Sequence, residues 1–448
     1  MDTKELNKIQ KDREEKLKLL RKDGFNFPNK FEKVDKLGET QLKFSQKNKE
    51  DLENLSPIVQ TAGRVVLKRV MGKAAFMTLE DESGRLQVYF SLNNLGEDFS
   101  QVSDWDLGDI VGVSGKLFRT KTDELTIEAT TSILLTKSLN PMPEKHKGLS
   151  NIETIYRQRY LDLMSNSDSR EIFKKRNKII SSLRKNLESE GYLEVETPMM
   201  HPIPGVANAR PFETHHNALD KKLYLRIAPE LYLKRLIIGG FERVYEIGKV
   251  FRNEGIDMTH SPEFTMMESY QAYTNVDGVM DMVEEMCKYV LSVLNIETEI
   301  EYIETKADFS FPWKRISMFE LVNNKFNLNI DFDSDLKSML HTLEDKHGLK
   351  YNSESIGSLV FELFENHIEK EIVDPTFVTE YPKEVSPFTR ESKEKKGITE
   401  RFELFAFGSE LANGFSELID PEDQEERLKK QALKKNEGDE EAHVEDKD

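Results

Sequence analysis

Between Ile58 and Lys137 the chain is written in short apolar runs broken by turn residues. "IVQTAGRVVLKRV", "KAAFMTLED", "GRLQVYFS", "DIVGVSGKLFRT" and "ELTIEATTSILLTK" are rich in β-branched and aromatic residues, with Gly, Asp and Ser between them. That texture predicts strands. Five strands in about eighty residues, with no long crossover helix among them, suit a small Greek-key barrel of the OB type over 56–140. Ahead of it, Leu6, Ile9, Leu17 and Leu20 stand at near-helical spacing in a polar, lysine-rich stretch, which predicts a charged amphipathic helical extension over 1–55. Behind it, "SLNPMPEKHKG", with Pro141 and Pro143, predicts a linker over 141–150.

From residue 151 the period changes. Ile172, Phe173, Ile179, Ile180, Leu183 and Leu187 lie close to a 3.6-residue repeat, so a long helix is expected to end near Gly191 and lead into a strand, "YLEVETP". Further strands are expected in "LYLRIA", "RVYEIGKVF", "FTMMESYQAY" and "RFELFAFGSELANGFSELID", and helices in "ELYLKRLIIGG" and "VDGVMDMVEEMCKYVLSVL". Strands in hairpin-like succession with helices inserted predict an antiparallel α+β domain over 151–448, not a doubly wound sheet. Neither a GxxxxGK[ST] nor a GxGxxG phosphate loop occurs.

Strand period also places the chemistry. Phe264, Met266, Glu268 and Tyr270 would share one strand face, Arg252 and Glu254 stand two apart, and Asn413, Phe415 and Glu417 repeat the alternation. Any one of these strands also reads as an ordinary half-exposed sheet. Several of them, each setting mixed charge beside aromatics, point to a single polar cleft.

Composition narrows the class. Hydrophobic residues at 37% and 26 phenylalanines suffice for a sizeable core, while 33% charged residues indicate a solvated surface. No apolar run approaches the roughly 20 residues of a membrane span, and "MDTKELNKIQKDREEKLKLL" lacks an apolar signal core, so a cytoplasmic protein is expected. The lone cysteine, Cys287, reads as a small buried apolar residue. A net charge of −18 argues against a broad basic coat for nucleic acid but leaves room for a specific partner held by a local patch.

These residues carry a resemblance. "GYLEVETPMM", with Pro198, resembles motif 1 of the class II aminoacyl-tRNA synthetases, and "VFRNEGIDMTHSPEFTMMESYQAY" resembles motif 2. "LYLRIAPELYLKRLIIGGFERVYEIG" and "ERFELFAFGSELANGFSELIDPEDQ" look specific to the bacterial lysine branch, and "RVMGKAAFMTLEDESGRLQVYF" is similar to that branch's anticodon-binding barrel. The resemblance implies ATP-dependent attachment of lysine to tRNA(Lys) through an adenylate, with Mg2+ accompanying ATP, in a homodimer built on motif 1. Residue by residue it implies Arg252 at the transferring phosphate. Glu254, His260 and Phe264 would lie around ATP, and Glu403 and Glu410 on the metal. Glu230, Glu268, Tyr270, Asn413 and Glu417 would surround lysine, and Arg69, Phe76, Gln87 and Glu124 the anticodon. Taken singly, Phe76 reads as a core position; only the resemblance turns it toward a base.

Two departures carry expectations of their own. Val206 stands where the family has a glycine close to the amino acid, which predicts a narrower pocket or a different backbone path. The sequence ends at "EEAHVEDKD", ahead of where the family carries motif 3. This leaves a lysine–tRNA ligase in shortened form, or a catalytically deficient tRNA- or lysine-binding relative.

Overall fold

In the computed structural model, which describes residues 3–143, 151–203, 209–257, 260–386 and 388–436, the five apolar runs form β1 (Ile58–Met71), β2 (Ala74–Glu80), β3 (Arg85–Ser91), β4 (Ile110–Arg119) and β5 (Leu125–Thr136). They close into a barrel in the order β1-β2-β3-β5-β4. Closure follows from the length of β1. Its first half pairs with β4 and its second half with β2, the two ladders meeting at Arg64, with an irregularity between Val65 and Leu67 that bends the strand. At Gly115 a Cβ would fall 2.0 Å from the Glu128 carbonyl oxygen, so the tight β4–β5 crossing requires glycine. Alternate positions, among them Val59, Met77, Leu79, Val88, Phe90, Val113 and Ile127, fill the interior. The expected N-terminal helix spans Thr3–Lys22, with Leu17 buried and Leu20 against the barrel core. The side chain of Leu6 and residues 144–150 of the expected linker lie outside the described residues.

The chain divides into two compact units at Ile172/Phe173. The second contains β6 (Leu193–Glu194), β7 (Met200–His201), β8 (Glu213–His216), β9 (Lys221–Leu225), β10 (Arg243–Phe251), β11 (Glu263–Gln271), β12 (Glu299–Tyr302), β13 (Thr305–Asp308), β14 (Lys314–Ser317), β15 (Thr376–Pro382), β16 (Ile398–Ala406) and β17 (Ser409–Phe415). Two sheets organise it, β11-β10-β6 and β14-β15-β16-β17, mostly antiparallel with parallel pairings at β6/β10 and β14/β15. The amphipathic helix Val276–Leu294 joins them: Met280, Val283 and Met286 meet Tyr245 of β10 and Phe402 and Leu404 of β16 in one core. Cys287 packs partly buried against that core, and burial pushes its thiol up to about 11.

The long helix runs Ser167–Ser189 and is followed by Gly191 at φ +81°, as the periodicity predicts. The strand expected after it is shorter than its sequence suggests. Only Leu193 and Glu194 pair, because the Thr197 amide and hydroxyl turn aside to Glu246 and Pro198 has no N–H to offer a ladder. Among the described residues no helix is long and apolar enough to cross a membrane.

Candidate active site

Three carboxylates and one ammonium meet where the helix Glu230–Ile238, β11 and the segment after β17 converge. Glu230 and Lys234 are one helical turn apart, and the Lys234 Nζ donates to Glu230 Oε1 and to Glu417 Oε2, both at 2.7 Å. Glu417 is held by a bridge to Thr389. On β11, the Tyr270 hydroxyl lies 3.4 Å from Glu268 Oε2. The Lys234 ammonium also sits 5.9 Å from the ring centres of both Tyr270 and Phe415. Among the described residues no lysine or arginine reaches ion-pair distance of Glu268. Burial, followed by the charge of Glu230, pushes its carboxyl up to about 8. Burial raises Glu417 and Tyr270 as well. Burial alone would lower Lys234, but Glu230 and Glu417 hold it above the usual lysine range.

A buried cation underlies this face. β10 and β11 pair so that Glu246 faces Glu268 and Gly248 faces Met266. Arg226 lies across that gap: its Nη1 donates to Glu246 Oε1 at 2.6 Å and to Thr197 Oγ1 at 3.1 Å, and its Nε to the Lys249 carbonyl at 2.8 Å. A Cβ on Gly248 would fall 2.3 Å from Arg226 Nη2, so glycine there makes the room. Arg252 follows β10, where its amide donates to the Pro262 carbonyl at 2.9 Å and its guanidinium carbon stands 5.3 Å from the Phe264 ring centre. Arg252 and Phe264 are thus brought together. Glu254 and His260 lie exposed in the connection between β10 and β11, with His260 Nδ1 2.7 Å from Asp257 Oδ2.

On β16, Glu403 accepts from the Tyr381 hydroxyl at 2.8 Å and from Arg401 Nη2 at 2.5 Å. Arg401 also donates to the Val385 carbonyl and to Ser386 Oγ, each at 3.0 Å, and lies 4.6 Å from the Tyr381 ring centre. Asn413, opposite Glu403 on exposed β17, donates to it at 3.4 Å. Burial and then the charge of Glu403 push the Glu410 carboxyl up to about 7. Two neighbouring carboxylates, one uncompensated, are a donor set that a hard divalent cation fits, taking its remaining ligands from phosphate and water. Among the described residues no group of three or more His, Cys, Asp or Glu is poised to hold a metal by itself.

On the barrel, Arg69 pairs with Phe76 across β1/β2, and Phe76 with Tyr89 across β2/β3. Phe76 points outward, contrary to its reading as a lone core residue, because its neighbours Ala75 and Met77 are the ones buried. Its ring centre lies 4.9 Å from that of Tyr89, tilted at 43°, and Tyr89 meets Phe118 edge-on at 6.1 Å. Gln87 lies partly exposed, paired with Thr126 of β5, and Glu124 occupies the exposed turn two residues before Thr126. The result is an aromatic strip with polar groups along it.

Lys234, Arg226, Arg401 and Tyr381 are not among the residues singled out from sequence. Lys234 carried a usable signal, the Glu230/Lys234 i,i+4 spacing on an expected helix. Arg401 carried one too, standing two residues from Glu403 on an expected strand, whereas Arg226 and Tyr381 take their place from long-range partners and left none. Val206 lies outside the described residues.

The comparisons agree with this geometry. The family of class II tRNA synthetases (D, K and N) matches residues 151–448, and the OB-fold nucleic acid binding domain matches residues 59–135. A lysine–tRNA ligase of Legionella pneumophila (strain Paris) is 49% identical over 439 residues, 96% of this chain and 87% of that protein. One from Neisseria gonorrhoeae (strain FA 1090) is 48% identical over 436 residues, 96% and 86% respectively. One from Aeromonas hydrophila subsp. hydrophila is 46% identical over 455 residues, 100% and 89%. With an OB barrel, a two-sheet α+β unit and matches along nearly its whole length, this chain belongs to the class II tRNA synthetases of the D, K and N group, in the lysine–tRNA ligase family.

Proposed function

We propose that the protein joins lysine to ATP, forming lysyl-adenylate and releasing pyrophosphate, and then transfers the lysyl group to tRNA(Lys) with release of AMP. The observation that carries this reading is the juxtaposition of the Glu230, Glu268 and Glu417 carboxylates with Tyr270 in one partly buried pocket. A buried anionic pocket selects an ammonium, because a neutral isostere would leave desolvated carboxylates unpaired. In this reading Glu268, Tyr270 and Glu417 receive the ε-ammonium, Glu230 the α-ammonium and Asn413 the carboxylate.

The chemistry needs two anions, the lysine carboxylate and the α-phosphate, brought together. Arg252 is a cation that can touch both and stabilise charge developing on phosphorus. No general base is needed, since the carboxylate is already a nucleophile, so these residues act mainly by positioning. Phe264, whose ring centre lies 5.3 Å from the Arg252 guanidinium carbon, offers a face to adenine, with Glu254 and His260 toward the ribose and the terminal phosphates. Glu403 and Glu410 would hold Mg2+, which when bound supplies charge neutralisation of the phosphates.

The domain reading is an extension over 1–55, an anticodon-binding barrel over 56–140, a linker over 141–150 and a catalytic domain over 151–448. Arg69, Phe76, Gln87 and Glu124 form its anticodon face, with Phe76 as the stacking platform. A cytoplasmic location and a twofold dimer complete it. The dimer is supported by exposed Ile172 and Ile179 on the long helix and exposed Leu193, Met199 and Met200 within motif 1. Sedimentation at micromolar concentration should give a dimer, and a monomer alone would remove that part.

Lysine-dependent ATP–pyrophosphate exchange, measured beside binding of the tRNA(Lys) anticodon arm, tests the whole. Exchange stimulated by lysine and not by norleucine is expected. Lysine and tRNA binding without exchange would leave the binding-only alternative in its place.

A further inference from the structure

Lys234 belongs to the pocket and yet has no assigned part in it. Its ammonium donates to Glu230 and Glu417 at 2.7 Å each and lies over Tyr270 and Phe415. Glu268, on the adjacent strand, has no cation at ion-pair distance among the described residues, and Arg226, the other buried cation nearby, is committed to Glu246. With every carboxyl ionised, the pocket's charges are then three carboxylates and one ammonium, a net of two negative charges. An amino acid bearing two ammonium groups, with its carboxylate met elsewhere by a guanidinium, neutralises that net.

We infer that Lys234 is the charge-balancing positioning residue of the amino-acid pocket: by holding Glu230 and Glu417 it sets the pocket at two uncompensated negative charges, matched to a diamino substrate. The inference rests on the lysine reading of the site. Without Lys234 three carboxylates would stand close together with no internal cation, which forces a second of them, besides Glu268, to keep a proton near neutral pH. Each substrate molecule would then have to expel two protons on binding, where the parent pocket expels only the one on Glu268. Removing Lys234 therefore makes the affinity for lysine steeply pH-dependent. The groups facing this cluster are Glu230 and Lys234 on the helix, Glu268 and Tyr270 on β11, Glu417 after β17, and Arg226 before the helix. Glu268, already raised by burial and Glu230, titrates in the parent protein as well, so the test compares slopes.

The experiment is calorimetric titration of the full chain with L-lysine at about pH 6 and about pH 8, where one extra displaced proton changes affinity by up to tenfold per pH unit. For Lys234→Met the ratio of its dissociation constant to that of the parent should fall by about tenfold or more from the lower to the higher pH. Lys234→Gln, which keeps most of the stem, reads the same quantity if the methionine variant does not fold. Adding Glu417→Gln to Lys234→Met restores the net of two negative charges and should return the pH slope to the parent's. A ratio that stays constant with pH, or a double variant as steep as the single, overturns the inference and leaves Lys234 a packing residue. Failure of the parent chain to bind L-lysine overturns the functional reading itself, and this inference with it.

Discussion

Glu230 and Glu417 share the ammonium of Lys234 while Glu268 stands beside them without a cation, whereas Glu403 accepts from the guanidinium of Arg401 with Glu410 nearby. In each cluster one carboxylate is satisfied by the protein and another is not. The unsatisfied ones, Glu268 and Glu410, are pushed up to about 8 and about 7 by burial and by a neighbouring carboxylate. The cations differ in kind. Arg401 is fixed by the Val385 carbonyl, the Ser386 hydroxyl, Glu403 and the Tyr381 ring, so its fork has one orientation. Lys234 is a compact charge held between two carboxylates at 2.7 Å each and flanked by the Tyr270 and Phe415 rings. The difference teaches that the Glu403 side fixes one carboxylate with a planar fork, while the Glu230 side divides one point charge between two carboxylates. Both leave a charge deficit that a ligand cation completes, a monovalent ammonium on one side and a hard divalent ion on the other.

The comparison breaks most visibly at Arg252, whose charge reaches Glu410. Arg252→Ala should lower lysine-dependent pyrophosphate exchange by about a hundredfold or more, since a single preorganised charged contact to the reacting centre is worth that much. Undiminished exchange would remove Arg252 from the centre of the mechanism.

Glu268→Gln sharpens the lysine side. It should weaken L-lysine by about 1.5 to 3 kcal/mol in calorimetry, the value of one charged hydrogen bond, with a smaller effect on ATP. Glu417→Gln should cost less than Glu268→Gln, because Glu417 already shares its charge with Lys234. The reverse order would mean that Lys234 moves away when lysine binds.

On the barrel, Phe76→Ala should weaken the anticodon arm by about 1 to 3 kcal/mol in filter binding, the range of one stacked base. An unchanged affinity would return Phe76 to a role in packing on Tyr89 alone.

The smallest effect is on stability. Glu268 holds a proton in the folded state at pH values where the unfolded chain, with an ordinary carboxyl near 4.5, has lost it. The native state therefore binds more protons, and its stability falls as pH rises from about 4.5 through about 8. The melting temperature of the free chain should decline over that window, with L-lysine flattening the part due to Glu268. A melting temperature that rises across the window would show that this carboxyl is ionised and compensated by other groups.

Much of this was legible in the chain itself. Runs of period two and 3.6 placed the five barrel strands, β10, β11 and the helix Val276–Leu294 with their observed limits or close to them, because local alternation of apolar residues is itself the record of which face is buried. The motif residues placed Arg252 with Phe264, and Glu230, Glu268, Tyr270 and Glu417 in one pocket, through resemblance and not through spacing. The extent of the "YLEVETP" strand was not legible, since it depends on Thr197 finding Glu246 about fifty residues away. Nor was the outward direction of Phe76 on its own, which follows from barrel closure around Ala75 and Met77.

Sequence by itself determined the element types, the order of the barrel and the α+β unit, and the kinds of charge available to the site, because these depend on local period and residue chemistry. Tertiary structure alone decided which charges are spent on one another. Arg226 reaches Glu246 on β10, Lys234 joins its helix neighbour Glu230 to Glu417 after β17, and Arg401, two residues from Glu403 on β16, is anchored by Val385 and Ser386; their convergence leaves Glu268 in its pocket and Glu410 on the exposed strand β17 as the carboxylates still in need of a cation.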